Sequence, residues 1–267
     1  MIKSSSGSHS LCFVVNHAAP ATSLEDSAWM RIAIPRNCAY QAGVIFGSLQ
    51  LWMDSVRRSG QESMAVDEWL LDTVTLPVLR VYGWAGDWVS IGYFGKNAEA
   101  QARFPGMMRV RRWTGGGMVD HREGWTYSVV APKKEPLASW RGAESYRRIH
   151  AALARTLRSE GIDTRMSAGA EETGAMLCFQ NPVNYDLLGL DGKKLAGAGQ
   201  RRSRRGLLHQ GSVAVAGFDG LNSKERAGDL ASQLAQNWEA ASFQPDPEDL
   251  ARRVVARYGS TAWMQRC

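Results

Sequence analysis

Cysteine is scarce in this chain and nowhere paired by spacing. Cys12, Cys38, Cys178 and Cys267 fall in no Cys-x-x-Cys or Cys–His arrangement. This argues against a structural metal site and against a disulfide framework, and it fits a reducing cytoplasm. No apolar run approaches the roughly 20 residues needed to cross a bilayer, so no membrane partner is expected. The apolar patch at residues 11–15 is too short for the core of a secretory leader. Internal repeats are missing, as are helix-turn-helix, zinc-finger and RNA-binding signatures. Nucleic acid is therefore not expected as a partner, although the net charge is +6. An acidic protein or an anionic ligand accounts for that excess equally well.

What the chain does have is enough apolar material, 44% of 267 residues, for one large core. Residues 1–28, rich in Ser, His and Ala, read as a poorly ordered extension, and residues 29–267 as one domain ending in a short helical tail. Residues 64–71 have the apolar spacing of a helix, with Met64, Leu70 and Leu71 as its stripe. Residues 77–84 and 88–94 look like a strand pair joined by Ala85-Gly86-Asp87. Residues 143–161 form an amphipathic helix with Ile149, Leu153 and Leu157 on one face. Residues 184–190 and 194–200 make a hairpin around Asp191-Gly192. Residues 213–215 read as a further strand, and residues 223–258 as two helices.

The densest signal is Arg111-Arg112-Trp113-Thr114-Gly115-Gly116-Gly117-Met118-Val119-Asp120-His121, followed by Gly124-Trp125-Thr126-Tyr127-Ser128. Strand-like residues precede and follow the glycines, which places them in a turn between strands. Three glycines in such a place commonly mean only a tight turn. Bare backbone beside two guanidinium groups, however, also suits a carboxylate, a phosphate or a thioester carbonyl. The spacing matches neither the phosphate-binding P-loop nor the dinucleotide fingerprint.

The string resembles the signature loop of the lipoate–protein ligase and octanoyltransferase family, related to biotin ligase catalytic domains. Other blocks follow in that family's order over residues 60–215. They are Ser63-Met64-Ala65-Val66-Asp67-Glu68, then Leu79-Arg80-Val81-Tyr82-Gly83-Trp84 with Val89-Ser90-Ile91-Gly92. After the loop come Cys178-Phe179-x-x-Pro182 with Tyr185-Asp186-Leu187, Gly192-Lys193-Lys194-Leu195-Ala196-Gly197-Ala198-Gly199-Gln200-Arg201-Arg202, and Leu208-His209-Gln210-Gly211-Ser212. The resemblance implies an α+β fold, a mixed and mainly antiparallel sheet flanked by helices, like the biotin/lipoate ligase catalytic domain. It also implies an enzyme that moves an octanoyl or lipoyl group onto the lysine of a lipoyl domain or of glycine cleavage H protein.

Site residues follow from the same resemblance. Lys194, at the head of a strand of small residues, would contact the acyl group; a solvated hairpin lysine, as expected for Lys193, is the plain reading. Arg112, Thr114, Gly115, Gly116, Gly117, His121 and Gly197 would line the substrate site, with His121 closing the acyl pocket or bonding to Asp120. His209 carries the same ambiguity at a lower rank. Cys178 by itself reads as a small buried hydrophobe. In the octanoyltransferase branch a cysteine in such a Cys-Phe pair is the nucleophile that takes octanoyl from acyl carrier protein, and a nearby ammonium such as Lys194 would lower its thiol pKa. No cofactor is then needed. The ligase branch instead activates free lipoate with ATP and Mg²⁺. Gly117 is ligase-like, whereas Cys178 and the short stretch of about 50 residues after the closing strand, too short for a ligase accessory domain, favour the transferase. A non-catalytic acyl-binding relative is the third possibility; retention of Lys194 and the glycine loop argues against it.

Overall fold

The computed structural model describes residues 43–169 and 178–266, apart from the side chain of Cys178. The expected extension at residues 1–28, the start of the expected domain, and Cys12, Cys38 and Cys267 lie outside the described residues.

The described chain opens on β1 (Phe46–Arg58) and α1 (Gly60–Thr73). A capping box starts α1: Ser59 Oγ accepts the Glu62 N–H while the Glu62 carboxylate accepts the Ser59 N–H. β2 (Val78–Trp84), β3 (Trp88–Ile91), α2 (Asn97–Arg103), β4 (Met108–Arg111), β5 (Val119–Asp120) and β6 (Trp125–Pro132) follow. Next come α3 (Pro136–Ser139), α4 (Gly142–Ser159), β7 (Arg165–Met166), a one-turn 3-10 helix (Cys178–Gln180), β8 (Leu187–Leu188), β9 (Lys194–Arg202) and β10 (Gly206–Val213). The last elements are α5 (Ser223–Leu234), β11 (Ala235–Ala240), α6 (Pro247–Arg253), a π turn (Val254–Tyr258) and α7 (Thr261–Met264).

Eight strands form one sheet in the order β11-β1-β2-β6-β10-β9-β8-β7, and three form a second in the order β4-β3-β5. In the large sheet β1 runs parallel to β11 and β2, and every other neighbouring pair is antiparallel. This is the expected mixed, mainly antiparallel α+β architecture. Side chains of β2 divide by parity. Leu79 and Val81 join the core built with α4 and α5, whereas Val78 and Tyr82 pack with residues of α1. Covered on both faces, β6 and β10 bury every residue. Ile149, Leu153 and Leu157 lie fully buried on one side of α4, as their spacing predicts. No helix among the described residues is long and apolar enough to cross a membrane.

Four expectations are corrected. β2 and β3 do not pair, because both edges of β2 are occupied by β1 and β6; the chain crosses at Ala85-Gly86-Asp87 into the second sheet, where β3 pairs with β4 and β5. Residues 213–215 are no separate strand: β10 ends at Val213, and Ala214 turns aside to donate to the Leu195 carbonyl at 2.7 Å. The tail is not two helices alone, since β11 lies between α5 and α6 and pairs with β1, Phe46 facing Ala235 and Leu51 facing Ala240. The 184–190 arm of the hairpin is strand only at Leu187–Leu188, although the Asp191-Gly192 turn forms, with Gly192 at φ 79°. β1 itself had no counterpart in the sequence reading.

Candidate active site

The glycine loop joins β4 to β5 and rests against the face of β9. A Cβ at Gly92 would overlap the Gly116 carbonyl, and one at Gly199 would overlap the Gly115 carbonyl, so the loop fits only because both neighbours are bare. Gly116 itself sits at φ 97°, a region costly for any residue with a Cβ. Arg112 is buried beneath the loop. Its Nη1 donates to the Ser90 carbonyl (3.0 Å) and hydroxyl (2.6 Å), and its Nη2 to the carbonyls of Gly115 (3.1 Å) and Gly117 (2.9 Å). Expected as a ligand contact, this guanidinium also braces the loop. In a trans peptide the N–H points opposite the C=O. With the Gly115 and Gly117 carbonyls drawn to Arg112, the N–H groups of Gly116 and Met118 therefore face the other way. Arg111, also buried, donates to the carbonyls of Gly92, Tyr93, Gly95, Trp263 and Met264, tying the loop's root to α7.

Thr114 fixes the loop from below. Fully buried, it donates through Oγ1 to Gln210 Oε1 (2.7 Å), and Gln210 Nε2 donates to Asp67 Oδ2 (2.7 Å). Asp67 Oδ1 accepts from Arg80 Nη1 (2.7 Å) and Ser128 Oγ (2.9 Å), and Arg80 donates onward to Asp54. Burial alone would lower the pKa of Arg80; the carboxylates of Asp67 and Asp54 outweigh it and raise the value. Gly116→Ala separates a binding loop from a plain turn. The expected outcome is a loss of acyl transfer on the order of 100-fold, from displaced substrate, against only about 1–2 kcal/mol of stability. Melts and transfer rates on one preparation check it; normal transfer below an early melt reduces the glycines to a turn.

Lys194 begins β9, where a bulge at Leu195 interrupts the register with β8. Its side chain is 2% exposed and its Nζ lies 2.6 Å from Asp186 Oδ2, folded over Gly197, whose missing Cβ leaves the room. Asp186 also accepts the Tyr146 hydroxyl (2.5 Å) and the Val183 N–H (2.8 Å), and Tyr146 Oη in turn accepts the Ala198 N–H (2.8 Å). The preceding residue, Tyr185, holds φ at 70°, an uncommon conformation for a residue with a Cβ. Phe179 brings its ring centroid to 6.0 Å from Lys194 Nζ, which sets the Cys178–Gln180 turn beside the ammonium. The Cys178 side chain lies outside the described residues. Lys193, by contrast, points to solvent and pairs with Asp191.

His121 stacks on Trp84 (3.9 Å between centroids, 22° between planes). Its Nε2 lies 2.6 Å from Ser90 Oγ. Ser90 Oγ already accepts from Arg112, so its hydroxyl proton is directed to Nε2. Burial, and then the charge of Arg112, lower the His121 pKa to about 3, so the ring is neutral near pH 7. Asp120 pairs with Arg122 rather than with His121, which removes that alternative. Met64, Trp84, His121, Gly197 and Gly199 line a narrow slot with about 20 Å³ of free volume. That holds about one water, so an acyl chain enters only by moving side chains, for which unbranched Met64 is suited. On the opposite side of β9, His209 sits between Tyr127 Oη (3.2 Å) and Gln200 Nε2 (3.0 Å), and burial holds its pKa well below the usual value. Among the described residues no three His, Cys, Asp or Glu side chains converge to hold a metal ion.

Residues 59–240 match the family model described as the lipoyl protein ligase A/B catalytic domain. The chain belongs to this family. Octanoyltransferase LipM of Kyrpidia tusciae is 36% identical over 184 residues, 62% of this chain and 67% of that protein. LipM of Bacillus subtilis is 31% identical over 181 residues, 61% of this chain and 64% of that protein. The chain thus spans about two thirds or less of the length of the curated relatives it matches. Among solved structures, a lipoate–protein ligase fold from T. acidophilum with bound lipoic acid superposes with TM-score 0.64 at 22% identity, covering 83% of this chain and 100% of the other. Lipoate-protein ligase A bound with ATP gives TM-score 0.62 at 21% identity, covering 82% and 98%.

All nine candidate residues fall inside the region that matches the lipoyl ligase family, and the fold brings the glycine loop, Arg112, His121 and Lys194 to the face of β9 that holds Gly197 and Gly199. Two further residues complete the lysine's setting and were not marked from the sequence. Asp186 was visible in Tyr185-Asp186-Leu187, but nothing in that string says that its carboxylate meets Lys194. Tyr146 comes from α4, where its place on the helix gives no hint of a hydroxyl aimed at β9.

Proposed function

We propose that this chain moves an octanoyl group, or a lipoyl group, from a thioester on acyl carrier protein to a lysine of a lipoyl domain or of glycine cleavage H protein, through Cys178. In the first step the Cys178 thiolate attacks the thioester carbonyl. An Sγ–C bond forms, the carrier's C–S bond breaks, and the carrier leaves as its thiol, so the proton lost by Cys178 is returned to it. In the second step the acceptor amine attacks the acyl-enzyme. An amide forms, the Sγ–C bond breaks, and one amine proton restores the Cys178 thiol. The thioester carries the activation throughout, so neither ATP nor a metal enters the balance.

The observation that carries this reading is the Lys194 ammonium held over Gly197 by Asp186, beside the Cys178–Phe179 turn. In this role Lys194 donates to the carbonyl oxygen as negative charge develops on it, and the outward Gly116 N–H offers a second donor. The names of the LipM relatives point the same way. A cytoplasmic setting and an acidic carrier fit the net charge of +6. In the alternative, a ligase, the same loop amides and Lys194 would hold the phosphates of ATP with Mg²⁺, and ATP would supply the activation.

Intact-mass measurement after incubation with octanoyl–acyl carrier protein, without ATP, tests this. One octanoyl mass is expected, removed by hydroxylamine and absent in Cys178→Ala. An unmodified wild type that nevertheless modifies a lipoyl domain when given ATP and lipoate establishes the ligase reading instead.

A further inference from the structure

On the face of β9 that carries the reaction site, Gly197 lies under Lys194, Gly199 under the glycine loop, and Arg201 two positions further on. Strand alternation puts all three on one side, and at ~3.3 Å per residue Arg201 stands roughly 13 Å along the strand from Gly197. Its guanidinium is held between two rings: its Cζ is 4.9 Å from the Trp113 centroid and 5.3 Å from that of Tyr93. Both aromatics belong to the site's scaffold. Trp113 precedes Thr114 in the loop, and the Tyr93 N–H donates to the Thr114 carbonyl at 2.9 Å.

Among the described residues no carboxylate pairs with Arg201 and no acceptor receives its N–H groups; its Nε is sealed from solvent without a partner. The neighbouring cations differ. Arg257, 4.7 Å from the Trp113 centroid, is spoken for by Glu68 at 2.6 Å, and Arg202, though its Nε is likewise buried without a partner, donates through both Nη atoms to Gln200 and Ser145. Packing on rings uses the π face of a guanidinium and leaves its in-plane fork of donors available. That fork matches two oxygens of a phosphate. A half-buried cation with unfilled donors and no counter-ion is costly to keep unless a ligand completes it. Arg266, placed over the other part of the Tyr93 surroundings at 4.5 Å, adds positive charge.

We infer that Arg201 is the seat for a phosphate on the acyl donor, the phosphodiester at the root of a pantetheine arm whose thioester end reaches Lys194. This rests on the transfer reading above and adds to it a recognition point on the donor. A nucleotide phosphate has the same chemistry, and the experiment separates the two sources.

Initial rates of acyl-enzyme formation are compared for octanoyl-phosphopantetheine and octanoyl-pantetheine, which differ only in the phosphate. Wild type is expected to favour the phosphorylated donor about tenfold or more in kcat/KM, mainly through KM. Arg201→Met keeps the packing on Trp113 and Tyr93; it is expected to bring the ratio close to one by slowing only the phosphorylated donor, with Arg204→Met at the exposed turn leaving the ratio unchanged. A preserved ratio in Arg201→Met, or an equal fall with both donors, overturns the inference. If wild type accepts acyl from neither donor, the transfer reading itself has failed, and calorimetric titration with ATP decides the seat. Binding weakened about tenfold in Arg201→Met assigns the phosphate to the nucleotide, and unchanged binding removes Arg201 from any phosphate site.

Discussion

Lys194→Met is expected to lower acyl transfer on the order of 100-fold or more. Removing one preorganised donor to a developing oxyanion raises the barrier by about 3 kcal/mol. The buried pair with Asp186 complicates the simple alanine variant. Taking away the lysine strands a carboxylate that is 0% exposed, and breaking a buried ion pair from one side costs about 3–5 kcal/mol of stability. Lys194→Ala is therefore expected to melt early as well as to lose activity. Lys194→Met with Asp186→Asn keeps the volume, retains an acceptor for the Tyr146 hydroxyl and removes the lone charge. It is expected to recover stability without recovering transfer. Lys193→Ala should change neither, since that side chain is 84% exposed and pairs only with Asp191 at the turn. Single-turnover transfer and thermal melts on all four variants give the answer. Transfer at the wild-type rate in the double variant would show that the ammonium only fills space.

The second large effect is expected from Asp67→Ala, a residue that touches no proposed substrate atom. Its carboxylate collects Arg80, Ser128 and Gln210 in a region closed to water. Truncation leaves Arg80 with Asp54 as its remaining carboxylate partner and leaves Gln210 free to turn its amide, so a loss of about 3–5 kcal/mol is expected in denaturant titration. Asp67→Asn should cost less, because an amide can still accept from Arg80. Transfer should fall in both variants, even at temperatures where they remain folded. The Gln210 carbonyl is aimed at Thr114 only while Asp67 holds the opposite side of that amide. A cost of under about 1 kcal/mol for Asp67→Ala would show that the buried network is relaxed in solution.

Where one strand or one loop carried its own pattern, the sequence was readable. Thr114-Gly115-Gly116-Gly117 sits between strands and the α4 stripe is buried. Pairing was much less legible. Residues 78–84 and 88–91 are both strands, yet nothing local tells that β2 has both edges taken. β11, Ala-Gln-Asn-Trp-Glu-Ala, has little apolar alternation, and after Ala235 its residues are exposed. Only the open edge of β1 makes it a strand. At the site the same division holds. The family resemblance pointed to Lys194 and Arg112, but their partners depend on positions far apart in the chain. Asp186 on Lys194, and Ser90 with two loop carbonyls on Arg112, are facts of tertiary geometry. No periodicity announces them.

The pairing of β1 with β11 has a consequence for how the molecule is made. Gln50 meets Glu239 across 189 positions, whereas β6, β9 and β10 lie closer together in sequence. Loop closure grows only slowly more costly with length, about 0.6 kcal/mol per doubling, so the distant pairing is affordable at equilibrium. Timing is another matter. As the chain emerges from the ribosome, β1 can pair with β2 early but must keep its other side of unpaired N–H and C=O groups open until residues 235–240 have been synthesised. The first strand of the described fold waits longest for its partner, and until that partner emerges its bare edge is what the cell's chaperones have to cover.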